Sequence, residues 1–235
     1  DIYAEYRIRF IFIIDEWDCI FRENKDGSEA HKMYLDFLRN LLKDRSYVAL
    51  AYMTGILPIK KYGSHSALNM FDEFSMTNPK QLAEFVGFTE SEVRELCTRY
   101  GMDFEETRRW YDGYHFQNVE HVYSPRSVVS AMLSRSFDNY WNQTETFEVL
   151  RDYIVMNYAG LKDTVIELLA GEHKKIETGS FSNDMTTFST ADDVLTLLIH
   201  LGYLGYDFST KEVFIPNSEI ASEFVAAIQG AGWDT

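Results

Sequence analysis

Phe10-Ile11-Phe12-Ile13-Ile14-Asp15-Glu16 is the stretch that decides the fold, because five consecutive apolar residues end there in two carboxylates. The run has strand length and is β-branched and aromatic without alternation, which predicts a strand covered on both faces. Such strands are typical of the parallel sheet of an α/β domain. Asp15 and Glu16 then lie at the carboxyl end of the strand, the edge of an open α/β sheet where ligands bind.

Asp15 and Glu16 are therefore candidates for chemistry on a metal-bound phosphate. A carboxylate at the tip of a buried strand can hold Mg²⁺ directly or through water, and a second carboxylate beside it can activate a water that attacks phosphorus. This is the Walker B arrangement of P-loop NTPases. The structural alternative is a buried strand that simply reaches solvent at Asp15, and the motif alone does not decide between them.

Longer stretches extend this pattern along the chain. They are Asp15-Glu16-Trp17-Asp18-Cys19-Ile20-Phe21, Tyr52-Met53-Thr54-Gly55-Ile56-Leu57-Pro58-Ile59-Lys60-Lys61-Tyr62-Gly63-Ser64, and Trp110-Tyr111-Asp112-Gly113-Tyr114 with Val122-Tyr123-Ser124-Pro125-Arg126-Ser127-Val128. Together they closely resemble the bacterial AAA-ATPase-like family, and the resemblance runs from Phe10 to about Phe224. In that family an ATPase-like domain is often followed by a PD-(D/E)XK nuclease-like domain, of which this sequence has no counterpart.

For a complete protein of this family, the resemblance implies Mg²⁺-dependent ATP hydrolysis. Asp15 would bind Mg²⁺ through water, Glu16 would activate the attacking water, and Thr54 with Arg126 would contact the γ-phosphate. Thr54 follows a second predicted strand, Tyr47–Met53, and the alternative is that it only caps that strand by bonding backbone. Arg126 is the candidate lid arginine.

Other cationic residues compete for phosphate contacts. Arg108 and Arg109 are alternatives to Arg126, and each of the three could instead be an ordinary solvated arginine. Lys60 and Lys61 could neutralise phosphate charge or reach the nucleotide of a neighbouring subunit. The simpler interpretation of the lysines is a solvated loop pair.

The phosphate loop of a P-loop NTPase is missing from the sequence. The pattern G-x-x-x-x-G-K-[ST] does not occur, and no Gly-Lys pair occurs anywhere, so the backbone nest and the lysine that hold the phosphates are absent. ATP and Mg²⁺ are therefore expected as cofactors of a complete protein only. For this chain we expect weak or no binding of ATP and no measurable turnover.

Composition sets further bounds on function. With 46% hydrophobic and 25% charged residues the chain has ordinary globular composition, and no apolar run approaches the length of a membrane span. It begins with Asp1 and has no signal-peptide pattern, which indicates a fragment of a longer chain. Cys19 and Cys97 lie far apart without metal-ligand spacing, which favours a reducing, cytoplasmic compartment. A net charge of −15 disfavours binding to nucleic acid or anionic membranes.

Three segments are predicted, giving an α/β fold followed by a mostly α part. Residues 1–76 form a partial AAA-type core with a helix capped by Ser28 and a short third strand over Phe71–Met76. Residues 77–145 form a helical lid, in which Thr89 and Glu92 make a capping box and His115 and His121 are loop residues. Aromatic residues of the lid are expected in the core: Trp110, Tyr111, Tyr114, Phe116 and Tyr123.

Residues 146–235 are predicted to form a winged-helix-like module. Helices are expected over 147–158 and 161–169 and after Thr190, followed by a hairpin (Tyr203–Tyr206 and Val213–Ile215) and a helix through Ile228. Such modules often bind DNA, but Thr190 to Gln229 contain one lysine, no arginine and six acids. A DNA-binding role is therefore disfavoured, and a structural role is the better interpretation.

Two alternatives to an ATPase remain open. One is a protein-interaction or regulatory scaffold with a vestigial ATPase lobe, whose acidic surface binds a basic partner. The other is a nucleic-acid-binding module that uses the hairpin and the lid. Partners or self-association are expected through the lid, the winged-helix-like module or an unpaired edge of the Tyr47–Met53 strand.

Overall fold

The structure is a computed structural model that describes residues 2–23, 27–58, 68–116, 118–141, 150, 160–181 and 188–230. The chain divides into two compact units, Asp1–Glu73 with Ser182–Phe188 and Phe74–Phe181 with Ser189–Thr235. The segments predicted as lid and winged-helix-like module thus belong to one compact unit. Element numbers below refer to the described residues.

The first unit is built around two parallel strands. Its elements are α1 (Ile2–Tyr6), β1 (Phe10–Ile14), α2 (Cys19–Glu23), α3 (Ser28–Leu42) and β2 (Val48–Met53). β1 and β2 pair in parallel from Ile11 opposite Leu50 to Ile14 opposite Met53, with a register shift after Phe10. The decisive stretch is therefore a strand of a parallel sheet, as its pattern predicts.

The two faces of this sheet differ in burial. One face packs through Ile14 and Met53 on a cluster of Trp17, Leu35, Leu38 and Leu68, two of which come from α3. The other face carries Ile11 and Ile13, which are 64% and 76% exposed. The prediction that both faces are covered is wrong for the described residues, because α3 covers one face and no described element covers the other.

Two local predictions for the first 76 residues are also wrong. Ser28 begins α3 but does not cap it, since Gly27 takes the N-cap position and no side chain bonds there. Phe71–Met76 forms no strand; Ser75 and Asn78 instead exchange backbone hydrogen bonds across a tight turn.

The second unit begins with a 3₁₀ helix and three α-helices that enclose a small sheet. The 3₁₀ helix spans Lys80–Phe85; the other elements are β3 (Phe88–Thr89), α4 (Glu90–Tyr100), α5 (Phe104–Tyr111), β4 (Tyr114–Phe116), β5 (Val119–Tyr123) and α6 (Pro125–Ser134). The strands form an antiparallel sheet in the order β3-β5-β4. The purely helical lid prediction missed this sheet. His115 and His121 lie on β4 and β5, so their assignment to a loop is wrong.

Caps and aromatic packing in this region follow the prediction. Thr89 and Glu92 form the capping box of α4, and Gly101 ends that helix in the left-handed region at φ 70°. Of the five aromatic residues expected in the core, Tyr111, Tyr114 and Tyr123 are buried, and Trp110 and Phe116 are partly buried. The core here is lined by Val93, Cys97, Tyr111, Tyr123, Val128, Ala131 and Met132.

The rest of the second unit contains the predicted helix, hairpin and helix. The elements are α7 (Leu161–Leu169), β6 (Lys174–Lys175), a 3₁₀ turn (Thr178–Ser180), α8 (Ala191–His200), β7 (Gly205–Asp207), β8 (Glu212–Phe214) and α9 (Ser218–Gly230). β7 and β8 form the hairpin, and β6 adds to β8 in the order β6-β8-β7. Thr190 and Asp193 form a capping box for α8. The helix predicted over 147–158 lies outside the described residues, apart from residue 150.

Gly113 ties the start of β4 to the segment before α9. Its φ is 115°, and a Cβ at this position would meet the carbonyl oxygen of Pro216 at 1.9 Å. Only glycine combines this backbone conformation with such a close approach. The fold of the second unit therefore depends on glycine at this position.

Candidate functional site

The candidate site lies where β1 and β2 end side by side. Thr54 donates its backbone N–H to the carbonyl of Ile14 at 2.9 Å, and Trp17 donates to the carbonyl of Thr54 at 2.9 Å. The hydroxyl of Thr54 donates a short hydrogen bond to Oδ1 of Asp15. Two residues that lie 39 positions apart in the sequence thus meet at the carboxyl edge of a parallel sheet.

Asp15 is exposed and its carboxylate is partly engaged. Besides the Thr54 hydroxyl, its Oδ1 accepts the backbone N–H of Glu16 at 3.0 Å. Its Oδ2 makes no hydrogen bond within the described part of the chain. An exposed carboxylate with one oxygen available suits a hard cation that keeps several of its waters.

Glu16 is the second carboxylate of the edge, and it occupies an unusual backbone conformation. Its φ is 50°, which turns the chain sharply from β1 toward α2. Its side chain is 67% exposed, and its Oε2 accepts a hydrogen bond from Nη2 of Arg22 at 2.9 Å. Asp15, the predicted metal ligand, and Glu16, the predicted base, are therefore adjacent, and Arg22 holds Glu16.

Asp18 anchors the loop that follows β2. The side chain is fully buried and accepts the N–H of Leu57 at 2.8 Å and that of Ile56 at 3.3 Å. A Cβ on Gly55 would lie 2.5 Å from Asp18 Oδ1 and 2.6 Å from the Trp17 ring, so this close approach needs glycine.

Arg22 connects the buried acid to the exposed one. Its Nε lies 3.2 Å from Asp18 Oδ2, a contact of ion-pair distance, although this N–H lacks the alignment of a hydrogen bond. Nη2 of the same guanidinium binds Glu16, so Arg22 lies between the carboxylates of Asp18 and Glu16. The sequence interpretation did not single out Asp18 and Arg22; the available signal was their i,i+4 spacing directly after the acidic pair.

The edge supplies few ligands for a metal by itself. Within the described residues no group of three or more His, Cys, Asp or Glu side chains is placed to hold a metal ion. Mg²⁺ commonly takes one or two protein carboxylates, with waters and substrate phosphates completing its six ligands. The donor set at Asp15 fits that mode of binding and does not fit an all-protein metal site.

The other cations proposed for the site are placed as follows. Arg126 lies in the second unit, exposed in the first turn of α6. Arg108 lies 3.6 Å from Asp112, and Arg109 pairs with Glu106 at 2.7 Å, both within or just after α5. Lys60 and Lys61 lie outside the described residues. The structure thus brings together Asp15, Glu16 and Thr54 of the predicted site residues.

A separate acid–histidine pair lies in the second unit. His121 Nδ1 lies 2.7 Å from Asp112 Oδ2, and its Nε2 lies 3.6 Å from Glu90. Burial raises the pKa of Asp112, although the Gly113 N–H and His121 oppose the rise. The pair joins the end of α5, the strand β5 and the start of α4, which is a structural role.

Two further acids of this unit are buried on α9. Glu219 accepts the backbone N–H groups of Tyr140 at 2.8 Å and Trp141 at 3.1 Å, and Glu223 accepts a short hydrogen bond from the amide of Asn139. Burial raises the pKa of both carboxyls. They fasten the segment after α6 to α9.

No described helix is both long and apolar enough to cross a membrane. Cys19 and Cys97 are both free thiols.

Comparison with known proteins gives one informative relative. The chain is 30% identical over 152 residues to an "Uncharacterized protein in vnfD 5'region" of Azotobacter chroococcum mcd 1, which covers 62% of this chain and 29% of that protein. The chain thus spans less than a third of the length of this curated relative. No known protein family matches the chain, and no solved structure matches it.

Proposed function

We propose that the carboxyl edge of β1 and β2 is the metal and water side of an AAA-type ATP-hydrolysing site, completed by a phosphate loop outside this sequence. The observation that carries the proposal is the hydrogen bond between Thr54 and Asp15 where two parallel strands end. This edge of a parallel sheet is the usual place for ligands. The resemblance to the AAA-ATPase-like family supports the same assignment.

Each acid has a distinct part in the proposed reaction. Asp15 would hold the metal through water, and Thr54 fixes the Asp15 carboxylate through its hydroxyl hydrogen bond and would contact the γ-phosphate. Mg²⁺ would supply positive charge that neutralises the charge developing on the transferred phosphate. The attacking water forms the new bond to the γ-phosphorus, the bond to the bridging oxygen of ADP breaks, and Glu16 accepts the proton that the water loses.

The second unit has the proposed parts of a lid and a winged-helix-like module. The order α8, β7, β8, α9 is helix, hairpin, helix, which supports the winged-helix-like assignment. Arg126, exposed on α6, is the lid arginine that the family resemblance implies. The free thiols of Cys19 and Cys97 support a cytoplasmic location.

The test compares this chain with a polypeptide that also carries the phosphate loop. Calorimetry on this chain should detect no binding of ATP·Mg at low micromolar concentration. In the longer polypeptide, Glu16→Gln should lower ATP turnover about 100-fold or more, because a general base contributes at least that much. Glu29→Gln, which changes an exposed glutamate on α3, is the matched control and should turn over normally. Full activity of Glu16→Gln would remove Glu16 from the reaction.

A second candidate is an interaction scaffold with a vestigial ATPase lobe. The net charge of −15 favours this role, because an acidic surface attracts basic partners. A longer polypeptide that carries an intact phosphate loop and hydrolyses no ATP would support the scaffold over the enzyme.

A further inference from the structure

We propose that Arg22, held by the buried Asp18, is a positioning residue that fixes the Glu16 carboxylate for the proposed hydrolysis. The proposal rests on the proposed function and adds two residues to it. It is carried by the chain of contacts from Leu57 through Asp18 and Arg22 to Glu16.

Glu16 needs a partner to hold a defined position. Its side chain is 67% exposed, and it follows directly after β1, outside any helix or strand. Restricting a free glutamate side chain costs conformational entropy. A base that must meet a single water therefore gains from a contact that restricts it before the substrate arrives.

Arg22 supplies that contact and leaves part of the carboxylate available. Its Nη2 binds Oε2 of Glu16 at 2.9 Å, while Oε1 makes no hydrogen bond among the described residues. The second oxygen is the atom that would accept the proton of the water. One oxygen is thus used for orientation and the other for chemistry.

The buried Asp18 in turn fixes the position of Arg22. Its side chain is 16% exposed, whereas the Asp18 side chain beside it is 0% exposed. The Ile56 and Leu57 N–H groups hold the Asp18 carboxylate in place, so Asp18 restricts the position of the Arg22 side chain. Ile56 and Leu57 follow Thr54 in the chain. Their contacts with Asp18 therefore align the end of β2 with the turn after β1 that contains Asp15 and Glu16.

Arg22 is also the partner that a buried carboxylate such as Asp18 requires. A carboxylate out of water is costly unless it is paired and hydrogen-bonded. Arg22 is the cation within ion-pair distance of Asp18 among the described residues, so loss of Arg22 would leave Asp18 to its backbone donors alone. Arg22→Gln tests the contact with Glu16, and Asp18→Asn is the secondary variant that removes the buried charge.

The kinetic test uses the polypeptide that carries the phosphate loop. Arg22→Gln should lower kcat about tenfold with little change in KM for ATP, as is usual when a partner of a functional group is removed. Arg22→Lys should restore part of the loss. In a Glu16→Gln background, Arg22→Gln should have no further effect, because its contribution passes through Glu16.

The matched control is Arg99→Gln, since Arg99 also pairs with a glutamate, Glu95, at 2.8 Å on an exposed helix face. It should leave kcat unchanged. NMR of this chain adds an independent test: the signal of the Glu16 side-chain carboxyl should shift in Arg22→Gln, and the signal of the Arg22 guanidinium should shift in Glu16→Gln.

The outcomes separate this proposal from the proposed function. If Glu16→Gln hydrolyses ATP as fast as the wild type, the proposed function fails and the positioning role with it. If Glu16→Gln is inactive while Arg22→Gln keeps normal kcat, the proposed function stands and the positioning role is overturned. An equal loss from Arg22→Gln with and without Glu16 would also overturn it, since the arginine would then act by another route.

Discussion

Two groups of acids in this molecule occupy opposite environments. Asp15 and Glu16 are exposed at the end of the parallel strands, and a hydroxyl and a guanidinium hold them in place. Glu219 and Glu223 are almost fully buried on α9, and backbone and amide N–H groups hold them. Burial and the type of partner therefore distinguish an acid that is available to a ligand from an acid that stabilises the fold.

The largest expected effect is on activity, from the exposed pair. Asp15→Asn should lower Mg²⁺-dependent turnover of the phosphate-loop-containing polypeptide by up to about 100-fold, because the water of the metal would lose its carboxylate partner. Its stability should change by about 1 kcal/mol or less, since only the Thr54 hydrogen bond is weakened. Steady-state kinetics and urea unfolding measure the two quantities, with Asp36→Asn on α3 as the control. A large loss of stability would place Asp15 with the structural acids.

The buried pair should show the reverse behaviour. Glu219→Ala should lower the free energy of unfolding by about 3 kcal/mol, because two backbone N–H groups lose their acceptor inside the protein. Glu219→Gln keeps an acceptor oxygen and should cost far less. Urea unfolding followed by tryptophan fluorescence measures both. Equal losses for the two substitutions would show that the charge of Glu219 matters more than its hydrogen bonds.

The pH dependence of stability gives a second test of the role of Glu219. Burial raises the folded-state pKa of Glu219, so the folded state binds its proton more tightly than the unfolded state does. The stability that it contributes is therefore present at low pH and is lost as pH rises through the folded pKa. Glu219→Gln should gain stability relative to the wild type as pH rises above the ordinary glutamate pKa, and a relative loss of stability over that rise would contradict the raised pKa.

His200 should give a smaller effect with the opposite pH dependence. Burial lowers its pKa to about 4, and its ring stacks on Phe181 at 5.9 Å. Because the unfolded state then binds the proton more tightly, stability falls as pH drops from about 6.5 toward 4. His200→Phe should flatten this fall in urea titrations. His173→Gln, at an exposed position, is the control and should keep the wild-type slope.

The smallest effect concerns an exposed acid that is structural. Glu92 accepts the N–H of Thr89 at 2.8 Å in the capping box, and this backbone hydrogen bond lowers its pKa. Glu92→Ala should cost about 0.5–1 kcal/mol, as expected for the loss of a helix cap. The stability from the lowered pKa is present above the unfolded value and is lost as pH falls through the folded one. No change in urea midpoint would mean that solvent replaces the cap.

The sequence allowed local features to be predicted well. The β1 run, the capping box at Thr89 and the start of α8 after Thr190 each depend on neighbours within a few positions. The pairing of Asp15 with Thr54 could also be predicted, because parallel strands bring their carboxyl ends to one edge. Residues that act through such local or register rules are therefore accessible from one sequence.

Other features depend on contacts that a single sequence does not specify. β3 is two residues long and β4 is three, too short for an alternation to show, so the β3-β5-β4 sheet was missed. The exposure of Ile11 and Ile13 could not be predicted either, because an unbroken apolar run gives no sign of which face is covered. Asp18 and Arg22 were missed because their importance comes from burial and from the loop after β2.

The most direct test of the proposed site is the location of the bound metal ion. In the polypeptide that carries the phosphate loop, Mn²⁺·ATP should broaden the amide NMR signals of Asp15, Glu16 and Thr54, because the metal would lie at the carboxyl edge of β1 and β2. Asp15→Asn should reduce that broadening. Signals of these three residues that stay sharp while Mn²⁺·ATP is bound elsewhere would contradict the assignment of this edge as the metal side of the site.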